Sequence, residues 1–293
     1  MVMMMMMMDL RFILIYSLVV YGRSLKFPYR VFKKCNYNYN KIKQLKLLSL
    51  CMISYNNDNL LDSMSKDLSK ALGCSTTTTT KPSLMWKESQ NNLGGGSGAS
   101  TGIIIDKNTK KEYFIKRIYG LSGYQMLLSE YHGSLEIYNT NTIKIPKPIC
   151  IGMNTINNYD ESYLIYEKII FGGYCNPIDM AEKLFNMHNC YSSNGMFGWK
   201  MNNTCGSTIQ INTYTSSWSE FWDIYRLGHI LSLAKKDGAV FPHEVQLRQK
   251  VKQILSERDC KPSLVHGDLW SGNQGCTTNG EPIIFDPSVY VSE

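Results

Sequence analysis

Apolar positions recur at helical spacing in one early stretch of the chain, between residues 56 and 81. The recurring side chains are Leu60, Leu61, Met64, Leu68 and Leu72. They predict a short amphipathic helix. Five threonines at 76–80 follow this helix and are typical of a linker. Apolar runs that alternate with polar turns begin at about residue 82, so we place the start of the folded body there.

The first half of the body, residues 82–167, is predicted to be rich in β-strands. Apolar runs at 103–105 and 113–115 flank a polar turn and predict a β-hairpin. Three further elements are expected from the apolar spacing: a helix at 123–139, a loop around Pro146 and Pro148, and a short buried strand at 163–166.

The second half of the body, residues 168–293, is predicted to be mainly helical. Three helices are expected, at 178–190, 219–236 and 242–259. Two short apolar strands at 263–265 and 282–285 then enclose a polar loop. A β-rich half that precedes an α-rich half indicates the α+β class.

The N-terminal segment, residues 1–55, has a composition unlike that of the body. Its apolar run at 12–21 is too short to span a bilayer, which needs roughly 20 residues, so no stable membrane span is expected. The run has the length of a signal-peptide core, and a basic, acid-poor segment follows at 33–55. This pattern is typical of an organelle-targeting leader; a disordered basic tail and an over-extended gene start are the alternatives. A genuine leader would place the protein in a plastid or another organelle, and otherwise the cytoplasm is expected.

Charge and cysteine content exclude several classes of protein. The formal net charge is +7, but residues 1–50 hold nine of the 31 Lys and Arg side chains and one of the 24 Asp and Glu side chains. The body is therefore almost neutral and lacks the basic face that nucleic-acid backbones require, which argues against nucleic acid as a partner. Nine cysteines without a CxxC pair are too few for a disulfide scaffold and argue against structural zinc.

A Gly-rich stretch precedes the predicted hairpin. Glycines allow backbone N–H groups to approach phosphate oxygens closely, because glycine has no Cβ atom. The stretch is not a Walker A loop, since no Gly-Lys-Ser/Thr ends it, and a flexible linker is the alternative interpretation. The candidate phosphate-binding residues are Gly94, Gly95, Gly96, Ser97 and Gly98.

Five polar residues have the spacing that phosphoryl transfer requires. Lys116 ends the second hairpin strand and Glu130 follows in the next helix, like the pair that orients nucleotide phosphates in protein kinases. Asp268 and Asn273 have the spacing of the base and the metal-binding amide of a kinase catalytic loop. Asp286 follows the next strand and would be a second ligand of Mg²⁺, which prefers oxygen. A solvated surface pair and an ordinary polar turn are the alternatives.

Two segments carry a resemblance to a known family. The sequences LVHGDLWSGN at 264–273 and PIIFDP at 282–287 resemble the fructosamine-3-kinase, or ketosamine-3-kinase, family. The stretches at 203–210 and 218–226 are similar to the middle part of that family, and the resemblance extends over about 90–293. It implies an α+β, bilobal, protein-kinase-like fold related to the aminoglycoside phosphotransferases. The β-rich half would be the nucleotide-binding N-lobe and the helical half the catalytic C-lobe.

The resemblance implies ATP-dependent and Mg²⁺-dependent phosphorylation of the sugar 3-hydroxyl of ketosamines. These substrates are small glycated amines or ribulosamine and fructosamine adducts on the lysines of glycated proteins. The phosphorylated adduct is unstable and leaves the free amine, so the implied activity repairs glycated protein. A small-molecule kinase of the aminoglycoside or choline type and an inactive pseudokinase are the alternatives. The sequence indicates no particular oligomeric state.

The resemblance also implies a role for each candidate residue. Trp218 and Trp270 are candidates for the sugar-binding side, with burial in the core as the alternative. The implied site comprises the base Asp268, the Mg²⁺ ligands Asn273 and Asp286, the phosphate-binding Lys116 with its partner Glu130, the phosphate cover at 94–98, and Glu167 at the start of an adenine-binding hinge.

Two features depart from the family pattern. Ser97 stands where many members have cysteine, so a redox switch at that position is not expected. The family continues as further helices beyond the Asp-Pro pair at 286–287, whereas this chain stops at Glu293. We therefore expect the C-terminal helices of the catalytic lobe to be missing, with the chain either a fragment or a truncated gene model.

Overall fold

The structure is a computed structural model that describes residues 57–74, 81–87, 99–156 and 159–293. The chain divides into two compact units, Met1–Ser63 and Met64–Glu293. Of the first unit, the described part is the start of helix α1 (Asn57–Ala71); every other element lies in the second unit. The predicted leader, the threonine linker and the candidate phosphate-binding residues at 94–98 lie outside the described residues.

A five-stranded antiparallel sheet forms the β-rich lobe, in the order β1-β2-β3-β5-β4. Its strands are β1 (Leu84–Lys87), β2 (Ser100–Asp106), β3 (Glu112–Tyr119), β4 (Pro148–Ile156) and β5 (Tyr159–Glu167). The β2–β3 pair confirms the predicted hairpin, although Lys116 lies inside β3 rather than at its end. The loop expected at Pro146 and Pro148 is present at 145–147, but Pro148 itself already begins β4. A residue without an N–H is tolerated there, at the first position of an edge strand.

Helix α1 confirms the amphipathic helix that the apolar spacing predicts. Met64 and Leu68 in its second half are fully buried. Asp67 lies between them in sequence and accepts a hydrogen bond of 2.6 Å from Tyr163 Oη of β5. The second half of α1 is therefore bonded to the sheet. The start of the N-lobe at residue 82 and the boundary between the lobes after residue 167 stay predictions.

Helix α2 (Leu121–Thr140) confirms the helix predicted after the hairpin. Leu127 is fully buried and packs against Tyr166 of β5. Glu130 is three residues after Leu127, and Ser134 is four residues after Glu130, so all three lie on one face of the helix. This face turns two polar side chains toward the sheet.

The second lobe is mainly helical, as predicted. Its helical elements are α3 (Pro177–His188), α4 (Trp218–Phe221), a π-helical segment (Trp222–Gly228), α5 (His229–Lys236) and α6 (Glu244–Ser256). The single helix expected over 219–236 is therefore interrupted. Arg248 donates to both carboxylate oxygens of Asp223, at 2.7 and 3.0 Å, and to its backbone carbonyl at 3.4 Å. A side chain that bonds a helix carbonyl in this way accounts for a local departure from α-helical geometry.

Three two-stranded sheets lie in the same lobe within the described residues. They are β6 (Asn203–Cys205) with β7 (Thr208–Gln210), β8 (Ser263–Val265) with β11 (Tyr290–Ser292), and β9 (Gln274–Cys276) with β10 (Pro282–Ile284). Strands β8 and β10 are the two that the apolar runs predict. In sequence, the β9–β10 hairpin lies between the paired strands β8 and β11. The loop from β8 to β9 and the loop from β10 to β11 therefore lie next to each other.

Trp218 belongs to an apolar cluster of the helical lobe. Its side chain is 5% exposed and packs with Phe197, Phe221 and Leu255. Of the two alternatives for this tryptophan, the structure supports burial in the core over a contact with sugar. No helix in the described ranges is both long and apolar enough to cross a membrane.

A disulfide joins Cys175, just before α3, to Cys276 at the end of β9. The two Cα atoms are 5.6 Å apart, although the residues are 101 positions apart in sequence. Nothing in the spacing of the nine cysteines predicts this pairing. Five other cysteines of the described residues are present as thiols and not in a disulfide: Cys74, Cys150, Cys190, Cys205 and Cys260.

Candidate active site

Two adjoining loops form the floor of the candidate site. The first links β8 to β9, and the second links β10 to β11. Their backbones are joined by hydrogen bonds from Phe285 N to the carbonyl of Asn273 (3.0 Å) and from Ser288 N to the carbonyl of His266 (2.8 Å). The β9–β10 hairpin turns back on itself between Asn273 and Asp286. Residues that are well separated in sequence therefore meet here.

His266 is fully buried and links the two loops. Its Nε2 lies 2.9 Å from the carbonyl oxygen of Phe285. A carbonyl can only accept, so Nε2 carries the proton. Its Nδ1 then accepts from the backbone N–H of Asp268 at 3.3 Å. Burial lowers the pKa of His266 to about 4, which keeps the ring in this neutral, doubly bonded form.

Stability is expected to fall as the pH drops from 6.5 to about 4, partly through His266. The unfolded chain binds more protons than the folded protein in this range, so the free energy of unfolding decreases, by about 3 kcal/mol at its lower end. Urea unfolding of the wild type and of His266→Gln at pH 7.5 and pH 4.5 measures this, and the variant should lose less stability. Burial also lowers the pKa of His188. This residue therefore adds the same loss of stability at low pH in the wild type and in the variant. An equal loss in the two proteins would contradict the expectation.

Two residues of these loops adopt left-handed backbone conformations. Gly267 has a φ of 80°, and a Cβ at this position would lie 1.9 Å from the carbonyl oxygen of Ser288. Asp286 has a φ of 57°, which is uncommon outside glycine but more accessible to Asp and Asn. Backbone strain of this kind concentrates at functional sites. Here it occurs at Asp286, whereas Gly267, directly before Asp268, adopts its left-handed conformation without strain because it has no Cβ atom.

Asn273 holds Asp268 in place. Its amide Nδ2 donates to the backbone carbonyl of Asp268 at 2.8 Å and to carboxylate oxygen Oδ2 at 3.3 Å. Because the nitrogen is used in these bonds, Oδ1 is the atom that Asn273 can offer to a cation. The predicted base and the predicted metal ligand are thus in direct contact.

Lys116 bonds to a carboxylate from each lobe. Its Nζ lies 2.7 Å from Glu130 Oε1 of α2 and 2.5 Å from Asp286 Oδ1 of the second loop. Burial of Lys116 lowers its pKa, but the two carboxylates outweigh burial and raise it, so the amine is charged. Burial raises the pKa of Glu130, and the contact with Lys116 opposes that effect. The structure therefore brings the predicted Lys–Glu pair to a residue 170 positions from Lys116.

Two hydroxyl groups that sequence analysis did not single out join this network. Tyr166 Oη donates to Glu130 Oε1 at 2.7 Å, and the Ser134 hydroxyl lies 3.2 Å from Tyr166 Oη. A signal for Ser134 exists in the sequence, since it is one helical turn from Glu130. The signal for Tyr166 is its place in a predicted buried strand, because a buried tyrosine hydroxyl usually has a partner.

The remaining candidates lie at the edges of the site or outside the described residues. Glu167 is the exposed last residue of β5, and its backbone N–H donates to the carbonyl of Lys147 at 2.9 Å. Trp270 is 60% exposed, and its ring lies so close to Gly272 that a Cβ there would be 2.3 Å away. The role of residues 94–98 stays a prediction.

The oxygen donors of the two loops fit Mg²⁺ held together with phosphates. Among the residues that the structure describes, no group of three or more His, Cys, Asp and Glu side chains could hold a metal ion. Mg²⁺ is commonly bound by one or two protein carboxylates together with substrate phosphates and water. The Asp286 carboxylate and Asn273 Oδ1 can supply such a partial set.

Comparison with known proteins identifies the family of this chain. A family model of fructosamine kinase matches residues 69–293. A probable ketoamine kinase of Synechocystis sp. is 36% identical over 208 residues, which is 70% of this chain and 68% of that protein. Chloroplastic protein-ribulosamine 3-kinases of Oryza sativa subsp. japonica and Arabidopsis thaliana are 35% and 37% identical over 67% and 68% of this chain. The matches cover 57% and 61% of these two plant proteins, which is less than two thirds of their length.

Solved structures agree on the fold. A candidate fructosamine-3-kinase from Haemophilus somnus has a TM-score of 0.65 at 22% identity, over 79% of this chain and 73% of that one. A second, from Thermobifida fusca, has a TM-score of 0.54 at 18% identity, over 79% of this chain and 75% of that one. These likenesses confirm the predicted α+β, protein-kinase-like fold. Because the family match contains the whole sheet, both loops and the Lys116–Glu130 pair, the chain belongs to the fructosamine kinase family.

Proposed function

We propose that the protein is an ATP-dependent ketosamine-3-kinase that phosphorylates the sugar 3-hydroxyl of ribulosamine or fructosamine adducts. One observation carries the proposal: Lys116 bonds both Glu130 and Asp286, beside the loop in which Asn273 holds Asp268. Relatives of 35–37% identity are named ketoamine kinase or protein-ribulosamine 3-kinase, which supports the substrate class. Glycated proteins or small ketosamines would be the substrates, and loss of the phosphorylated adduct would restore the free lysine.

On the nucleotide side, Lys116 would donate to phosphate oxygens while a carboxylate partner keeps its amine in place. Asp286 and Asn273 would hold Mg²⁺, which neutralises phosphate charge and orients the phosphates when it is bound. Residues 94–98 would cover the phosphates with backbone N–H groups. The chain after Glu167 would meet adenine.

On the acceptor side, Asp268 would take the proton of the sugar 3-hydroxyl while the hydroxyl oxygen attacks the γ-phosphorus. The bond from sugar oxygen to phosphorus forms, and the bond from that phosphorus to the β–γ bridging oxygen breaks, so ADP keeps the bridging oxygen. His266 and Asn273 fix the position of Asp268 without neutralising its carboxylate. Trp270, exposed on the same loop, is the candidate for contact with the sugar.

The direct test is phosphate transfer by the full chain from MgATP to a ribulosyl-lysine peptide, followed as a mass increase of one phosphate. Fructosyl-lysine and unmodified peptides, an aminoglycoside and choline form the substrate panel. Transfer to ketosamine peptides alone supports the proposal, whereas transfer to the aminoglycoside or to choline alone would replace it. Binding of MgATP without transfer to any acceptor would indicate a pseudokinase.

We also propose that residues 1–55 direct the protein to a plastid or another organelle. The support is their basic, acid-poor composition after an apolar run, and the chloroplastic location in the names of the two plant relatives. A fluorescent protein fused after residue 81 should enter the organelle, and the same fusion without residues 1–55 should stay in the cytoplasm. Identical cytoplasmic fluorescence from both fusions would overturn the proposal.

A further inference from the structure

We propose that Tyr166 is a positioning residue for phosphate transfer, whose hydroxyl holds the Glu130 carboxylate and, through it, the Lys116 amine. Ser134 orients the hydroxyl. The inference rests on the proposed kinase function, and it assigns a role to a residue that contacts neither sugar nor metal in that proposal. Tyr166 lies at the end of β5, directly before Glu167.

The hydrogen bonds in this network run in one direction only. Glu130 Oε1 accepts from Lys116 Nζ and from Tyr166 Oη, each at 2.7 Å. A phenol has one proton, which Tyr166 gives to Glu130, so Ser134 must be the donor in its 3.2 Å contact with Tyr166. Ser134 is fully buried and Tyr166 is 4% exposed. Water therefore cannot readily replace either hydroxyl.

Packing alone does not explain the hydroxyl group of Tyr166. Its ring contacts the apolar side chains of Leu127, Leu164 and Phe114, and a phenylalanine ring would fill the same space. What phenylalanine would lack is the bond to Glu130. A buried carboxylate with fewer hydrogen bonds is less firmly placed, because each lost partner leaves a costly unsatisfied lone pair.

The charges around Glu130 explain why a neutral donor matters. Lys116 approaches from β3, and Asp286 approaches the same amine from the loop after β10. When Asp286 turns to Mg²⁺ and Lys116 turns to phosphate, as the proposed function requires, both charged contacts of this network weaken. The bond from Tyr166 to Glu130 remains and keeps the carboxylate available to Lys116.

The test is Tyr166→Phe in the full chain. We expect kcat/KM for MgATP to fall about tenfold, the size of effect for a lost hydrogen bond to a charged group. The KM for MgATP should rise while the KM for the ketosamine peptide stays unchanged. Calorimetric binding of MgADP, which needs no acceptor, should weaken by a similar factor. Ser134→Ala should act in the same direction with a smaller change.

The matched control is Tyr163→Phe. Tyr163 belongs to the same strand, is fully buried and donates its hydroxyl to the carboxylate of Asp67 at 2.6 Å, but it lies on the opposite face of the strand, three residues from Tyr166. Its variant should lower the melting temperature and leave the KM for MgATP unchanged. If the loss of a buried hydroxyl acted only through stability, the two variants would behave alike.

A double-mutant cycle with Glu130→Ala completes the test. If Tyr166 acts through Glu130, Tyr166→Phe adds no further loss of MgADP binding in the Glu130→Ala background. Unchanged MgATP kinetics in Tyr166→Phe, or losses that multiply in the double variant, would overturn the inference. A wild type that transfers no phosphate to ketosamines, while Tyr166→Phe still weakens MgADP binding, would count against the proposed substrate alone.

Discussion

Replacing Asp268 by asparagine is expected to lower kcat for phosphate transfer about a thousandfold, within the range for loss of a general base. The amide has the shape of the carboxylate and still accepts the bond from Asn273, so the loop should keep its structure. It cannot take a proton from the sugar hydroxyl at neutral pH. Initial rates with a ribulosyl-lysine peptide measure the loss, and MgADP binding by calorimetry should stay within twofold of the wild type.

A control for this prediction is Asp237→Asn. Asp237 is exposed at the C-terminal end of α5, so the same chemical change there should leave kcat unaltered. If Asp268→Asn retains more than a tenth of wild-type kcat, Asp268 is not the base. If MgADP binding is lost together with kcat, the residue acts on the structure of the nucleotide site instead.

Replacing Gly267 by alanine should destabilise the protein by about 3–5 kcal/mol, the combined cost of a strained backbone and an overpacked contact. The new Cβ would lie 1.9 Å from the carbonyl oxygen of Ser288, and backbone atoms cannot move aside as a flexible side chain can. The two loops must then separate, which breaks the bond from Ser288 N to His266. Urea unfolding measures the loss of stability, and phosphate transfer should be lost with it.

Gly238→Ala separates steric contact from backbone strain. Gly238 has a φ of 90°, but a Cβ there would meet no atom within 4 Å. Its variant should therefore lose only about 1 kcal/mol, from the left-handed backbone alone. Equal losses of stability at positions 238 and 267 would show that the contact with Ser288 is not what requires glycine.

Local patterns are sufficient for the elements whose stability is local. Helices α1 and α2 and the β2–β3 hairpin follow from apolar spacing, because each contains enough residues to show a period. The contact between Asp268 and Asn273 can also be predicted from the sequence, because the two residues are five positions apart on one short loop. Strands of three residues, such as β6, β7 and β11, show no period of their own and form only where a partner strand is supplied.

Contacts between distant parts of the chain could not be derived from pattern alone. Lys116 and Asp286 are 170 positions apart, and a shared site is predicted by the likeness of their motifs to those of kinases, not by apolar periodicity. The bond between Tyr166 and Glu130 depends on the packing of α2 against β5, which places the phenol within reach of the carboxylate. Periodicity predicts that Tyr166 is buried, but it does not identify the partner of its hydroxyl.

The Cys175–Cys276 disulfide has a consequence for chain topology, because it turns part of the polypeptide into a covalent ring. Helices α3 to α6 and the loop with Asp268 and Asn273 lie inside the ring, whereas Lys116 and Asp286 lie on the two tails that leave it. When the helices melt, the ring still holds the β9 strand beside the segment that precedes α3. Reduction opens the ring into a linear chain, whose unfolded ensemble has more entropy. The thiol–disulfide balance of the surrounding compartment therefore decides whether the unfolded polymer is linear or cyclic.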